Sequence, residues 1–277
     1  LSNGESVAAA LLVEGYIVIF EKAVAKEEMR ARLMSGLLTG INKAFPYLKD
    51  ASAVAKHTDE LFRIAHGASF SSATQALILL SHIALGDFGG GDSKEEEEGE
   101  GLRTRFYRAL YSKLLSDQIL TRTHNTAFLN LLYRSIKRDS CEERCGAFVK
   151  RLAICATNSG ANISAGLLML VSEVLKVRPA LVSMLIEAES EIDSRDNGSR
   201  ECFGSYDASK REPKFAATSS LPKLWEASLM RHHAHPSVSK FSESLLQVPH
   251  VIKFLGDPTV DFTVSAFLNR FAFKNPK

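Results

Sequence analysis

The sequence contains few cysteines, four in 277 residues, and none of them forms a Cys-x-x-Cys pair. A chain stabilised mainly by disulfides is therefore excluded, and we expect reduced thiols in a nuclear or cytosolic setting. Cys141 and Cys145 are four residues apart and share one helix face, but a zinc site there would need two distant ligands that the sequence does not indicate. We expect neither a metal nor a cofactor.

Long uninterrupted apolar runs are also missing. The run at 7–20 is broken by Glu14 and Gly15, and the run at 75–85 is broken by His82, so no membrane segment is predicted. No basic segment with a cleavage site precedes the first apolar run, which argues against a secretory signal. The chain begins at Leu1, and we expect it to be a piece of a longer protein.

Motifs of common enzyme classes are absent from the sequence as well. The glycines at 89–91 lack the strand, helix and lysine of a phosphate-binding loop, and no Gly-x-Ser-x-Gly or nucleophilic cysteine motif occurs. His232, His233 and His235 are not spaced as zinc ligands, and Pro236 after them indicates a helix start. The sequence predicts a protein that is not an enzyme.

Charge is nearly balanced over the chain, at a formal net charge of +2, but it is unevenly distributed. Residues 1–100 carry 9 Lys and Arg against 15 Asp and Glu, whereas residues 101–152 carry 11 against 4. Such asymmetry bears on partners rather than on fold. The basic central segment is the part of the chain that we expect to meet an acidic partner.

Apolar residues recur at helical spacing along most of the sequence. In 102–120 they fall at Phe106, Leu110 and Leu114, and in 127–138 at Phe128, Leu132 and Ile136. About a dozen segments of ordinary helix length follow one another with short polar turns. These patterns predict an all-α fold, an irregular α-solenoid of helical hairpins of the HEAT or armadillo type, with a compact bundle as the alternative.

The composition also predicts a domain organisation. We expect a helical-repeat array at 1–189 that contains an acidic, glycine-rich loop at 86–101, and a C-terminal signature region at 190–277 that caps the array. The polar stretch at 190–205 would separate the two regions. In the glycine pair Gly36 and Gly40 we expect close helix packing.

Distinctive words follow one another through the last quarter of the chain: YDASKREPKF, LPKLWE, HHAHPSVSKF and GDPTVDFTVSAFLNRFAFKNPK. Upstream words such as RLMSGLLTGINKAFPY, RFYRALYSKLL and AFLNLLYRSIKRD precede them in order. Together they resemble the CCAAT-binding-factor domain of the nucleolar-complex and maintenance-of-killer ribosome-assembly family, in its CCAAT/enhancer-binding protein zeta subfamily. The ordered set covers most of the chain.

The resemblance implies a non-enzymatic scaffold in early assembly of the large ribosomal subunit, located in the nucleolus and nucleus. Its implied partners are pre-ribosomal RNA, a second nucleolar-complex protein as heterodimer partner, and other pre-ribosomal assembly factors and ribosomal proteins. The family name suggests an alternative, a transcription factor that binds CCAAT-box DNA. We rank it lower because the sequence shows no helix-turn-helix, zinc-finger, basic-zipper or homeodomain pattern.

Basic residues at helical spacing are the candidates for RNA contact, because a stripe of cations can follow a phosphate backbone. The aromatic residues between them, Phe106, Tyr107 and Tyr111, are expected in the core. A solvated helix face is the alternative explanation of the same charges. The candidate RNA-binding residues are Arg103, Arg105, Arg108, Lys113, Arg134, Lys137, Arg138, Lys150, Arg151, Lys210 and Arg211.

Within the signature region we expect structural roles. Tyr206 and Phe215 should anchor an extended segment over helices, and Trp225 should begin a helix with its indole in the core. Asp257 before Pro258 suits a turn and helix start. The region is expected to close the end of the array.

Overall fold

A computed structural model describes residues 3–25, 31–47, 52–86, 93–115, 126–185, 206–217 and 221–271. In these ranges the fold is all-α, as the sequence predicts, and the only strand pairing among them is an isolated antiparallel bridge between Tyr206 and Ala217. The helices are α1 (Asn3–Ala25), α2 (Ala31–Ala44), α3 (Ser52–Ala55), α4 (Thr58–Gly67), α5 (Phe70–Ala84), α6 (Ser93–Lys113), α7 (Thr126–Arg138), α8 (Glu142–Thr157), α9 (Ala161–Val177), α10 (Trp225–Met230), α11 (Pro236–Leu246), α12 (Pro258–Asp261) and α13 (Val264–Phe271).

The chain divides into two compact units, unit 1 (Leu1–Lys113) and unit 2 (Leu114–Lys277). The boundary expected at 189/190 falls within unit 2, among residues outside the described ranges. The predicted cap on a helical array, like the solenoid arrangement itself, therefore stays a prediction. None of the described helices combines the length and apolar character needed to cross a bilayer.

Unit 1 is built by helices that lie within 113 residues of sequence and pack on one another. α1 packs on α2, α2 on α5, α4 on α5, and α6 on both α4 and α5. Apolar residues three and four apart supply each contact face, because such residues share one side of a helix. In α2 and α4 the buried faces are formed by Met34, Leu37, Leu38 and Ile41, and by Leu61, Phe62, Ile64 and Ala65.

Helix α1 carries apolar residues on more than one face. Ala9, Val13, Ile17 and Phe20 are buried, whereas Val7, Leu11, Leu12, Val18 and Ile19 are each at least 46% exposed. At the buried face the tyrosine ring of Tyr16 lies over Gly40 of α2, where a Cβ atom would stand 2.8 Å from the ring. A Cβ on Gly36 would meet nothing within 4 Å. The prediction of close packing is confirmed for Gly40 and is wrong for Gly36.

Unit 2 is organised around α9, which packs against α7, α8, α11 and α12. Its neighbour α8 is buried along nearly its whole length, from Arg144 to Ala153, because α9 and later segments of the chain cover it. Non-helical segments are tied to these helices by polar groups. In one such contact, the hydroxyl of Ser172 on α9 accepts a hydrogen bond from the Ile252 amide at 2.9 Å.

One expectation about the acidic segment differs from the structure. Helix α6 begins at Ser93, so residues 93–101 are helical, although the composition predicted a loop over 86–101. Residues 87–92 lie outside the described ranges. Acidic residues are favoured near a helix N-terminus by the helix dipole. That rule, applied to the glutamates after Ser93, is the sequence signal for this helix.

Candidate nucleic-acid interface

In unit 1 the candidate cations lie along α6. Arg105 and Arg108 are exposed, while Arg103 and Lys113 are partly buried. Arg105 donates a hydrogen bond to Asp59 of α4 at 2.6 Å, and its guanidinium lies 4.1 Å from the ring centroid of Phe62. Arg105 is therefore engaged by protein contacts, although its side chain remains about half exposed. Arg103 also has a protein partner, the Glu100 carboxylate at 3.5 Å.

Three of the α6 cations act electrostatically on a histidine that the sequence did not single out. In the last turn of α4, partial burial of His66 lowers its pKa, and the positive charges of Lys113, Arg105 and Arg108 lower it further. Because α4 packs on α6, three cations of one helix act on a single side chain of its neighbour. We call these four residues the α4/α6 basic cluster. No local pattern around His66 predicts it, since the proximity arises from helix packing.

The aromatic residues of α6 belong to the core. Phe106, Tyr107 and Tyr111 are fully buried, and the rings of Phe106 and Tyr107 contact edge to face with centroids 5.4 Å apart. The prediction that they serve packing rather than base stacking is confirmed. They fix the exposed face of α6 by occupying the opposite one.

In unit 2, α7 displays three of the candidate cations. Arg134, Lys137 and Arg138 are all exposed, and they share one face because they are three and four residues apart. The last two also stand in the final turn, where positive charge complements the helix dipole. Arg178 covers that helix end, donating hydrogen bonds to the carbonyls of Ile136 and Lys137.

Lys150 lies in the interior of unit 2. Only 4% of the residue is exposed, and its ammonium donates to the Glu226 carboxylate at 2.8 Å and to the Lys223 carbonyl at 2.6 Å. Burial lowers the pKa of Lys150 and raises that of Glu226, while the contact between the two groups opposes both shifts. This cation holds α10 on α8 and is not available to a phosphate.

Arg151 is buried as well, at 1% exposure. Its guanidinium donates hydrogen bonds to the Tyr206 hydroxyl at 3.1 Å and to the Ala208 carbonyl at 2.9 Å. These bonds fix residues 206–217, which we call the arm and which also pack on α8 through a short 3₁₀ turn. The arm exposes the remaining candidates, Lys210 and Arg211.

The structure thus separates the candidate residues. Arg103, Arg105, Arg108 and Lys113 stand on unit 1, and Arg134, Lys137 and Arg138 share an exposed face of α7 in unit 2. Lys150 and Arg151 are buried, and they bind α10 and the arm, respectively. Lys210 and Arg211 are displayed by the arm that Arg151 holds. RNA contact by the exposed members stays a prediction.

The arm follows the expected course with different anchors. Pro213, Ala216 and Ala217 are buried, whereas Phe215 is 56% exposed. Tyr206 contributes through its hydroxyl, bonded to Arg151, rather than through complete burial. An ordered segment over helices is confirmed, and the role given to Phe215 is wrong.

Trp225 begins α10, as expected from the preceding proline, but it does not enter the core. The residue is 57% exposed, and the Lys150 ammonium lies 4.8 Å from its ring centroid. The buried residues of α10 are Glu226, Ala227 and Met230, on the side that faces α8 and α11. The prediction of a buried indole is wrong because the acidic residue, not the tryptophan, occupies the inner position.

The GDPT word forms a compact helix start. The Asp257 carboxylate accepts hydrogen bonds from the amide of Thr259 at 2.9 Å and from its hydroxyl at 2.6 Å. A Cβ on Gly256 would stand 2.2 Å from the Asp261 carboxylate and 2.8 Å from the Phe254 ring. Thr259 packs on Gly166 of α9. The expected helix start at Asp257 is confirmed.

The histidine cluster lies at the N-terminus of α11. His233 Nδ1 accepts from the amide of His235, and His235 Nδ1 accepts from the amide of Ser237 in the first turn of α11. The His235 ring lies 5.5 Å from that of Phe262. Within the described ranges no group of three or more His, Cys, Asp or Glu side chains is placed to hold a metal ion.

The described cysteines are free thiols. Burial is the main cause that raises the pKa of Cys145 to about 12 and that of Cys155 to about 11. Such thiols stay protonated near neutral pH and are poor nucleophiles and poor ligands. Their environment is that of core residues.

A groove of about 400 Å³ lies in unit 2 between α7, α9 and the GDPT word. Leu129, Met169 and Leu170 supply apolar lining, and Glu173 and Asp257 are among the polar residues that line it. The carboxylate of Asp257 is already engaged with Thr259.

Similarity to known proteins identifies the family of this helical chain. A model of the CBF/Mak21 family matches residues 73–242, more than half of the chain. The chain belongs to the CBF/Mak21 family. The matched range runs from α5 to α11 and so includes both the α6 and α7 cations and the buried anchors of α8.

Curated relatives agree with this assignment. Mouse CCAAT/enhancer-binding protein zeta is 30% identical over 330 residues, and the alignment covers all of this chain and 30% of the mouse protein. Ribosome biogenesis protein NOC1 of Chaetomium thermophilum is 32% identical over 91% of this chain and 25% of its own length. Nucleolar complex protein 1 of Drosophila melanogaster is 27% identical over 99% of this chain.

The chain therefore spans only about 30% of the length of the relatives it matches first. The family resemblance found in the sequence motifs is confirmed by the family match. The names of the relatives agree with the expected nucleolar and nuclear localisation. None of these three relatives carries the name of an enzyme.

Proposed function

We propose that this chain is the helical core of a ribosome-biogenesis factor, a non-enzymatic scaffold in early assembly of the large ribosomal subunit. Membership of the CBF/Mak21 family, with relatives named for ribosome biogenesis and for a nucleolar complex, is the observation that carries the proposal. Its partners are pre-ribosomal RNA, a second nucleolar-complex protein as heterodimer partner, and other assembly factors.

Two basic surfaces, each with exposed arginines, support the RNA part of this proposal. They are the α4/α6 basic cluster of unit 1 and the α7 face with Arg134, Lys137 and Arg138 in unit 2. Cations that replace counterions along a phosphate backbone give binding that weakens steeply with salt. Neither surface depends on the buried anchors Lys150 and Arg151.

Affinity purification of the tagged full-length protein tests the scaffold role. We expect large-subunit precursor RNA and assembly factors to copurify from untreated lysate. After ribonuclease treatment, the second nucleolar-complex protein should remain while RNA-dependent components disappear. Recovery of neither precursor RNA nor that partner would exclude the proposal.

A salt titration of the purified chain with structured RNA tests the basic surfaces. Exchanging Arg108 and Lys113 for Gln should weaken binding and reduce the slope of log affinity against log salt, by about one for each phosphate that is no longer neutralised. Exchanging the exposed Lys22 and Lys43 of α1 and α2 for Gln removes the same charge from unit 1. This control should change binding little, and an equal effect of both pairs would argue against the α4/α6 basic cluster.

The DNA-binding alternative is tested in the same assay. A CCAAT-box duplex and a scrambled duplex of equal length are compared at increasing salt. Equal, salt-sensitive affinities are expected of non-specific electrostatic binding. A preference for the CCAAT duplex that persists at high salt would favour the transcription-factor function.

A further inference from the structure

Helix α1 has a second apolar side, opposite the one that packs on α2. Val13, Ile17 and Phe20 are buried, whereas Leu11 and Leu12 are 64% and 55% exposed. In unit 1, as far as the structure describes it, five of the seven large apolar residues that are exposed lie on this helix. Single apolar residues scattered over a surface are ordinary, but their concentration on one element indicates an interaction surface.

The exposed apolar residues of α1 recur at intervals of seven. Residues seven apart lie on the same side of a helix, about two turns from each other. A repeat of seven is also the pattern of a helix that packs lengthwise on a second helix. The spacing therefore indicates a helix as the occupant of this side. Three pairs with this spacing form a surface that we call the α1 seam: Ala8 and Gly15, Leu11 and Val18, Leu12 and Ile19.

Small residues lie along the middle of the α1 seam. By helical spacing, Ala8 and Gly15 fall between the row that holds Leu11 and the row that holds Leu12. Both small residues are exposed, and a Cβ on Gly15 would meet nothing within 4 Å. The distance at which two helices pack depends on the side chains at their contact, so small residues here allow a close approach.

Charged groups are scarce on this side of α1. Among the exposed residues that the structure describes from Val7 to Lys22, only Glu14 and Lys22 are charged. RNA needs a series of cations along its path, and a helix face that stays in water is normally polar. The α1 seam has neither property, whereas an apolar helix face matches it.

The size of the seam favours an occupant from the same polypeptide. Four large side chains, each about half exposed, offer much less than the roughly 800 Å² that each partner buries in a stable complex of separate proteins. A tethered helix needs less contact area, because the linkage gives it a high effective concentration. The shared region makes up only 30% of the mouse relative, so most of that polypeptide lies outside it.

We propose that the α1 seam is the docking site of an amphipathic helix of the same polypeptide that lies outside residues 1–277. This helix places large apolar side chains over Ala8 and Gly15, between the two rows of larger residues. It buries the second side of α1 as α2 buries the first. The inference goes beyond the proposed function and does not depend on RNA binding.

A photoreactive residue in the seam identifies the occupant. Benzoylphenylalanine is placed at position 11 of the full-length protein or, as the control, at the exposed Lys43 of α2. After irradiation, the probe at position 11 should be joined to a peptide of the same molecule outside residues 1–277, with a yield that does not change on dilution. The control position should not give this product.

Several results of the crosslinking would overturn the inference. A product with a second copy of the chain would increase with protein concentration and would assign the seam to self-association. A product with another protein would assign it to a separate partner. A product within residues 1–277, or no product at all, would equally exclude the proposed helix.

A pair of glycine variants separates docking from folding. Gly15→Leu fills the centre of the seam, and it should leave the purified chain folded with unchanged or slightly higher stability, because the site has open space. In the full-length protein the same change should block the helix, and hydroxyl radicals should then oxidise Leu12 and Ile19 several-fold faster than in the parent. Gly36→Leu in α2 is the matched control, an exposed helical glycine that also has open space, and it should leave both rates unchanged.

Footprinting of the parent proteins completes the test. Leu12 and Ile19 should react several-fold more slowly in the full-length protein than in the purified chain. Equal rates in the two proteins, or parental rates in full-length Gly15→Leu, would overturn the inference. Neither result bears on the proposed function, which is tested by copurification with precursor RNA and assembly factors.

Discussion

Units 1 and 2 differ in the kinds of side chains that they bury. In unit 1 the buried polar residues among the described ones are Ser72 and Thr74, whereas unit 2 buries charged side chains, including Asp139, Arg144 and Lys150. Unit 1 joins helix to helix, so apolar faces supply the contacts. Unit 2 must hold non-helical segments against α8 and α9, and their backbone groups need buried donors and acceptors.

The contrast shows that basic residues at helical spacing do not by themselves indicate whether the cations are exposed or buried. Arg105 and Arg108 of α6 are exposed, while Lys150 and Arg151 of α8 are enclosed, although each pair follows aromatic or apolar residues at helical spacing. What differs is the number of elements that cover the helix. A cation becomes a buried anchor where a distant segment both covers it and supplies a carboxylate or a carbonyl.

The largest expected effect is the removal of a buried anchor of unit 2. Lys150→Ala leaves the Glu226 carboxylate buried without its cation and should lower the free energy of unfolding by about 3–5 kcal/mol in urea titrations. Lys137→Ala, which removes an exposed lysine of α7, should change it by less than about 0.5 kcal/mol.

If both lysine variants lowered the free energy of unfolding by similar amounts, the distinction between buried anchors and surface cations would be wrong. The double variant Lys150→Met with Glu226→Leu provides a further check. It should recover much of the stability that Lys150→Ala removes, because replacing a buried pair by apolar residues is far less costly than leaving one charge alone.

The next effect concerns Gly256, which lies close to two side chains of the C-terminal signature region. Gly256→Ala places a Cβ against the Asp261 carboxylate and the Phe254 ring, and we expect a destabilisation of about 1–3 kcal/mol from overpacking. In unit 1 the exposed helical Gly15 has open space around it. Gly15→Ala should stabilise the chain slightly through helix propensity. Equal signs for the two variants in thermal melts would contradict the proposed packing at Gly256.

A pH effect should come from the cap of α11. Burial and the neighbouring His233 lower the pKa of His235 from 6.5, so the unfolded chain binds a proton more readily there than the folded one. Its contribution to stability is therefore complete above pH 6.5 and is lost as pH falls through that value and then through the lower folded pKa.

His235→Asn should keep the cap, because asparagine is also a good N-cap residue, and should flatten this part of the stability profile. The exposed His232 serves as the control. Urea titrations between about pH 5 and 8 measure the profile, and an acid-induced destabilisation that persists unchanged in His235→Asn would place its origin elsewhere.

The smallest expected effect lies within α2. Gly40→Ala forces the Tyr16 ring to move, which should cancel or exceed the gain in helix propensity, whereas Gly36→Ala meets open space and should stabilise by about 0.5–1 kcal/mol. Circular dichroism during urea unfolding compares the two variants. A greater gain for Gly40→Ala than for Gly36→Ala would show that Tyr16 does not pack there.

Much of the fold could be predicted from local pattern. Periodicity predicted the helices, and the prolines at 236 and 258 marked two helix starts. The burial of Lys150 and the exposure of Trp225 could not be predicted, because both depend on how α10 meets α8 across 76 residues of sequence. Periodicity shows which residues share a face but not which distant segment covers that face.

The anchors of α8 have a consequence for how the chain can vary in length. Arg151 closes a loop to Tyr206 and Lys150 closes one to Glu226, with separations of 55 and 76 residues. Doubling the length of such a closed loop costs only about 0.6 kcal/mol. Residues can therefore be added between α9 and the arm at little cost in folding free energy. The Arg151–Tyr206 and Lys150–Glu226 contacts still hold the arm and α10 on α8. The mouse relative, aligned over 330 residues with a chain of 277, carries additional residues within the shared region.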